Sequence, residues 1–167
     1  MKFLPTENIT YKTKLKEDEI IKRLSDNIEP KKAFRGGFFG SGSSKLYEGQ
    51  INSHAFDINR IINYRNSFLP RINGIIEKSN NGTTIKVKMR LHAFVIIFIC
   101  IWCGGVGLGC ISVLKQAFGG SELDSVTMIP FGMLIFIYIL TMGGFKSESS
   151  RSKKDLQTIF ETEIFDE

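Results

Sequence analysis

Residues 91–114 read LHAFVIIFICIWCGGVGLGCISVL, and residues 125–145 read SVTMIPFGMLIFIYILTMGGF. Over 24 and 21 residues respectively, neither run contains Asp, Glu, Lys or Arg. At about 1.5 Å of rise per helical residue, each exceeds the roughly 30 Å hydrocarbon core of a bilayer. Only residues 115–124 separate them. The pair reads as a transmembrane helical hairpin occupying residues 91–145, with spans at 91–114 and 126–145.

That hairpin divides the chain into unlike parts, and the near-zero mean hydropathy is an average over them. Residues 1–90 hold 17 Lys/Arg against 9 Asp/Glu, residues 115–124 sum to −1, and residues 146–167 sum to −2. A basic domain beside a membrane meets an anionic lipid surface, so the charge implies lipid headgroups rather than nucleic acid. Lys86, Lys88 and Arg90 precede the first span and Lys146, Arg151, Lys153 and Lys154 follow the second, whereas the intervening loop has Lys115 alone. The positive-inside rule then puts both termini in the cytoplasm of a multi-pass inner-membrane protein. Residues 1–11 carry Pro5 and Glu7 and no apolar core, so the first span is expected to serve as its own insertion signal.

Residues 1–90 read as a cytoplasmic α+β domain. Residues 9–13 alternate as a strand. Lys16–Ile28 has Ile20, Ile21, Leu24 and Ile28 on one helical face, acidic residues in its first turn and Pro30 as its stop. Residues 31–45 are rich in Gly and Ser. Gly37 and Gly42 have phosphate-loop spacing, but Ser43 stands where Lys is needed, which leaves a flexible connection. Its Phe34, Phe38 and Phe39 are candidates to enter the membrane interface or cover the sheet. From Leu46 the period becomes two. Tyr47, Gly49 and Ile51 are followed by a turn at residues 52–54. Phe56, Ile58, Arg60, Ile62 and Tyr64 share the next face, and Pro70 interrupts. Ile72, Gly74 and Ile76 precede the hairpin signal Asn80-Asn81-Gly82, after which Thr83, Ile85, Val87 and Met89 oppose Lys86, Lys88 and Arg90. The result is an antiparallel β-meander with one dry and one wet face.

Residues 146–167 form the last unit. Ser152-x-x-Asp155 resembles a helix-starting box, and Leu156, Ile159, Phe160 and Ile164 follow at helical spacing. So short a helix needs an apolar partner, and the dry face of the sheet is the nearest. The expected fold is therefore an α+β membrane protein: a meander flanked by an N-terminal and a C-terminal amphipathic helix, plus the two-helix hairpin.

No catalytic constellation emerges. His54 and His92 have no cysteine or acidic partner at ligand spacing, and Cys100-x-x-Cys103 sits in a lipid-immersed helix, so neither a metal nor another cofactor is expected. Within the spans Gly104, Gly105 and Gly109 offer a flat packing surface, either for the second span or for a second copy of the chain. Arg60, Tyr64, Arg65 and Arg71 form the one cluster that suggests a ligand, because a guanidinium on a concave sheet suits phosphate or carboxylate. The alternative for Arg60 is pairing with Asp57 or Glu77. Lys86, Lys88 and Arg90 form a membrane-surface face.

The stretches Arg60-x-x-x-Tyr-Arg-Asn-Ser-Phe-Leu-Pro, Gly-Thr-Thr-Ile-Lys-Val-Lys-Met-Arg-Leu-His and Ile-Trp-Cys-Gly-Gly-Val-Gly-Leu resemble small bacterial two-span membrane proteins without assigned function. The resemblance implies the same topology and no catalytic residue. A meander followed by a helix is also similar, at fold level, to pleckstrin-homology-like bacterial membrane domains. The function expected is non-enzymatic: a membrane-anchored domain that binds a partner, a lipid headgroup or a small anionic ligand. A ligand-gated, membrane-disrupting effector and an accessory subunit of a membrane complex are the alternatives.

Overall fold

The computed structural model describes residues 4–30, 45–120, 125–162 and 164–166. The Gly/Ser-rich connection with Phe34, Phe38 and Phe39, and its phosphate-loop spacing, lie outside the described residues. Strands β1 (Thr6–Thr13), β2 (Ile28–Pro30), β3 (Tyr47–Asn52), β4 (Ala55–Arg60), β5 (Arg71–Ser79), β6 (Gly82–Arg90) and β7 (Ile164–Asp166) form one mixed sheet in the order β2-β3-β4-β5-β6-β1-β7. Helix α1 (Glu17–Asn27) follows β1, and α2 (Ala93–Phe118) follows β6. Helix α3 (Ile129–Phe160) precedes β7 and is entered through a 3-10 turn at Ser125–Met128.

The meander β3-β4-β5-β6 is present and antiparallel throughout. Its register places Met89, Ile72 and Ile58 in one row and Val87, Gly74 and Phe56 in the next, all on the same face. Gly74 is required there because the Phe56 ring lies across it; a Cβ on residue 74 would meet the ring at 2.0 Å. The period-two reading of residues 46–90 thus gives the correct dry face. Strand β1 extends the sheet beyond β6, with Ile9 opposite Val87 and Tyr11 opposite Ile85.

Four expectations are corrected. Strand β4 ends at Arg60, so Ile62 and Tyr64 belong to a connection over residues 61–70 and not to the strand. Helix α1 stops at Asn27, before Pro30, and residues 28–30 form a parallel edge strand against β3. Proline suits an edge because no neighbour there needs its missing N–H. Ser152 does not begin a helix: it lies fully buried inside α3, which runs unbroken from Ile129 to Phe160. Glu161, in the left-handed conformation at φ 48°, ends α3, and residues 164–166 pair with β1 as a strand, so Ile164 is not helical.

Both α1 and the second half of α3 cover the dry face. Ile20 and Leu24 of α1, and Phe145, Leu156, Ile159 and Phe160 of α3, join Ile9, Tyr11, Tyr47, Phe56 and Ile58 in a single core. Phe160 is its centre, edge-on to Tyr11 at 5.4 Å and tilted against Phe56 at 6.4 Å. The expected covering of the sheet by the C-terminal segment is therefore present, delivered by a helix that is also a candidate span. The two helices α2 and α3 are long and apolar enough to cross a membrane, and most of their apolar side chains are exposed. Pro130 occupies the first turn of α3, where its missing N–H costs nothing.

Candidate functional site

The residues at the junction of sheet and α3 form a continuous polar cluster. Arg60, at the end of β4, points with its strand's buried face toward α3. Its Nε donates to Asp155 Oδ2 at 3.0 Å and its Nη1 to Glu148 Oε2 at 3.4 Å. Glu148 and Asp155 are seven residues apart, two helical turns, so one guanidinium reaches both from one side. Glu148 is 1% exposed and also accepts a hydrogen bond from the Tyr64 hydroxyl. Arg151 Nη1 donates to the Tyr64 oxygen at 2.9 Å and lies 3.6 Å from Glu148. A carboxylate this deeply buried requires such a set of donors.

Two more tyrosines tie the sheet to α3. Tyr47 Oη donates to Asp155 Oδ2 at 3.4 Å, and Tyr11 Oη to the Lys153 carbonyl at 3.4 Å. At the outer edge Lys153 pairs with Glu7 of β1 at 2.6 Å. Burial, followed by the Asp155 charge, pushes the Tyr47 hydroxyl pKa well above its usual value. The hydrogen bond to Glu148 raises that of Tyr64. Burial alone would lower the Arg60 pKa, but Asp155, together with Tyr47 and Glu148, more than offsets it and the group is held in its charged form.

The sequence-expected ligand cluster is not brought together. Arg60 and Tyr64 meet through Glu148, and Arg60 pairs with Glu148 and Asp155 rather than with Asp57 or Glu77. Arg71 lies on the opposite face of the sheet, where its Nε donates to Asp57 Oδ1 at 2.9 Å. Arg65 stands exposed in the 61–70 connection. Lys86, Lys88 and Arg90 project from the outer face, as the alternation requires, with Lys86 held 2.8 Å from Glu77. Arg90 sits directly across from Arg71 and three residues before Ala93, the first residue of α2. Gly104 and Gly105 face open space, while a Cβ on residue 109 would stand 3.5 Å from the Pro130 ring of α3. Among the described residues no three His, Cys, Asp or Glu side chains gather to hold a metal ion.

Glu148, Arg151, Asp155 and Tyr47 were missed as members of the cluster. The available signal was the spacing: Glu148, Arg151 and Asp155 recur at three and four residues on one helical face.

The 61–70 connection docks on α3 at the end of the apolar run. Asn66 Nδ2 donates to the Gly144 carbonyl at 3.2 Å, and Phe68 packs where a side chain at residue 144 would stand, within 3.0 Å of its Cβ position. Gly144→Leu is expected to undock this connection. Overpacking of about 1–3 kcal/mol raises the open population roughly 5- to 150-fold, and tryptic cleavage at Arg65 should accelerate accordingly. Gly143→Leu, where nothing approaches within 4 Å, is the matched control. Equal cleavage rates in the two variants would show that Phe68 does not depend on Gly144.

Compared with protein-family models, curated proteins and solved structures, the chain has no match in any of the three, and its function is read from this geometry.

Proposed function

We propose that the chain is a non-enzymatic integral membrane protein of the cytoplasmic membrane. In this reading α2 and α3 form a transmembrane hairpin, both termini are cytoplasmic, and the α+β domain rests at the inner surface. There it binds an anionic ligand, first of all lipid headgroups. The observation that carries the reading is the continuity of α3. One helix supplies an apolar stretch of membrane length and then, without a break, Glu148, Ser149, Ser152, Leu156 and Phe160 to the core of the sheet. A domain built on such a helix cannot drift from the bilayer.

The charges support the same orientation. Lys88 and Arg90 lead into α2, and Lys146, Arg151, Lys153 and Lys154 lie beyond the apolar part of α3, against Lys115 alone at the far end. Since Arg60 is engaged by two carboxylates, the headgroup-binding role falls to the outer-face residues Lys88 and Arg90, with Arg65 from the connection. Each contributes about 1 kcal/mol through a screened surface field.

The test is topological. Alkaline phosphatase fused after Gly120 should be active and fused after Glu167 inactive, with the chain resisting alkaline extraction from membranes. The reverse activity pattern would place the domain outside and remove its anionic surface. Release by alkali would refute the spans themselves.

The same unbroken helix favours a second reading, a ligand-gated effector, because a rigid α3 would carry any movement of the sheet into the bilayer. Induced expression distinguishes the two: an effector depolarises the membrane when triggered, and an anchored binding domain does not.

A further inference from the structure

Between α2 and α3 lies a groove of about 320 Å³, at the lower end of the range for ligand-holding cavities. Its walls are apolar. Ile96, Ile99 and Cys103 contribute from α2, Leu134 and Thr141 from α3, and Leu91 closes it at the sheet end. Cys103 lies ten residues into α2, about 15 Å along the helix, which is the depth of one leaflet of a roughly 30 Å hydrocarbon core. The groove thus runs from the domain surface to mid-bilayer, the course of a single acyl chain.

Two hydroxyl-bearing side chains, Tyr138 and Thr141, interrupt the apolar lining. Thr141 is 7% exposed, and its hydroxyl has no hydrogen-bond partner among the described residues. Hydroxyls in helices ordinarily bond back one turn, as Ser112 does to the Leu108 carbonyl at 3.1 Å and Thr158 to the Lys154 carbonyl at 3.0 Å. Thr141 does not, and an unmet hydroxyl within a bilayer is costly. It lies four residues before Phe145, about 6 Å inside the domain boundary, at the level of the ester groups of the inner leaflet.

We infer that this groove is a phospholipid site: one acyl chain lies between α2 and α3, and its ester oxygen accepts a hydrogen bond from the Thr141 hydroxyl. The occupant comes from the bilayer because every wall except the sheet end is at membrane depth. The inference rests on the membrane-embedded reading above.

The full chain, purified in detergent and washed free of loose lipid, should retain one phospholipid per molecule by mass spectrometry. Cys103→Trp fills the groove and should abolish retention. Leu108→Trp, of equal bulk on an exposed face, should leave it intact. Thr141→Val should weaken retention about three- to tenfold, the value of one net hydrogen bond. As a check independent of folding, a phospholipid with a photoreactive acyl chain, reconstituted with the unmodified protein, should label Cys103, Leu134 and Ile137 well above Leu108 and Phe136. Even labelling of all apolar faces, retention of free fatty acid in place of phospholipid, or retention unaffected by Cys103→Trp would each overturn the site. A chain absent from the membrane fraction would instead refute the membrane reading itself.

Discussion

Deleting residues 150–167 is expected to abolish the protease resistance of residues 1–90. The deletion removes Leu156 and Phe160, both fully buried, together with the strand that pairs with β1. Loss of a buried Leu costs about 2–5 kcal/mol and of a buried Phe about 3–5 kcal/mol. Their sum of about 5–10 kcal/mol is comparable to the whole stability of a small domain, about 5–15 kcal/mol. Tyr47 and Arg60 would also lose Asp155, and Glu7 would lose Lys153. Limited proteolysis of the full-length and truncated proteins reads the effect directly: the sheet should be cleaved throughout rather than only in its connections. Unchanged resistance would mean that the sheet is stable without α3, and that the helix is a passenger on it.

The meander was legible because its strands keep one face dry and the other wet. Residues 82–90 state that alternation without exception, and Asn80-Asn81-Gly82 fixes the turn before them. Strand β2 was not legible. Three residues ending in proline carry no period, and only the neighbouring Tyr47 edge makes them a strand. The unity of α3 was hidden by a change in the character of its surface. Up to Phe145 its exposed faces are apolar, and from Lys146 they are charged, so hydropathy reads two segments. The buried face nevertheless continues through the change as Thr141, Met142, Phe145, Glu148, Ser149, Ser152 and Leu156. Three of the last four are polar, which disguised them. Ser149 and Ser152 are small enough to lie against the sheet, and Ser149 reaches the Met89 sulfur at 3.4 Å. The cluster around Glu148 was hidden for the same reason. Arg60 was correctly placed on the buried face of its strand, but its partners lie 88 and 95 residues away on an element that appeared to be surface.

Those partners determine the second large effect. Arg60→Leu should destabilise the domain by about 3–5 kcal/mol, because it strips a cation from Glu148, which stays buried. Tyr64 and Arg151 still reach that carboxylate, which places the expected value near 3 kcal/mol. Glu148→Leu on its own should also destabilise, leaving Arg60 18% exposed with only Asp155. Combining the two should recover most of the loss, since an apolar pair replaces a buried ion pair at little net cost. Thermal unfolding of the four proteins gives the coupling free energy, and headgroup binding to vesicles of defined anionic content tests the proposed function. Because the guanidinium is occupied by protein carboxylates, the double variant should bind vesicles as the parent does. Lys88→Ala with Arg90→Ala should instead lose binding in a graded manner that added salt reproduces. A double variant that is stable yet no longer binds would return Arg60 to the role its position on the sheet first suggested, that of an anion-recognising arginine which exchanges Glu148 and Asp155 for its ligand.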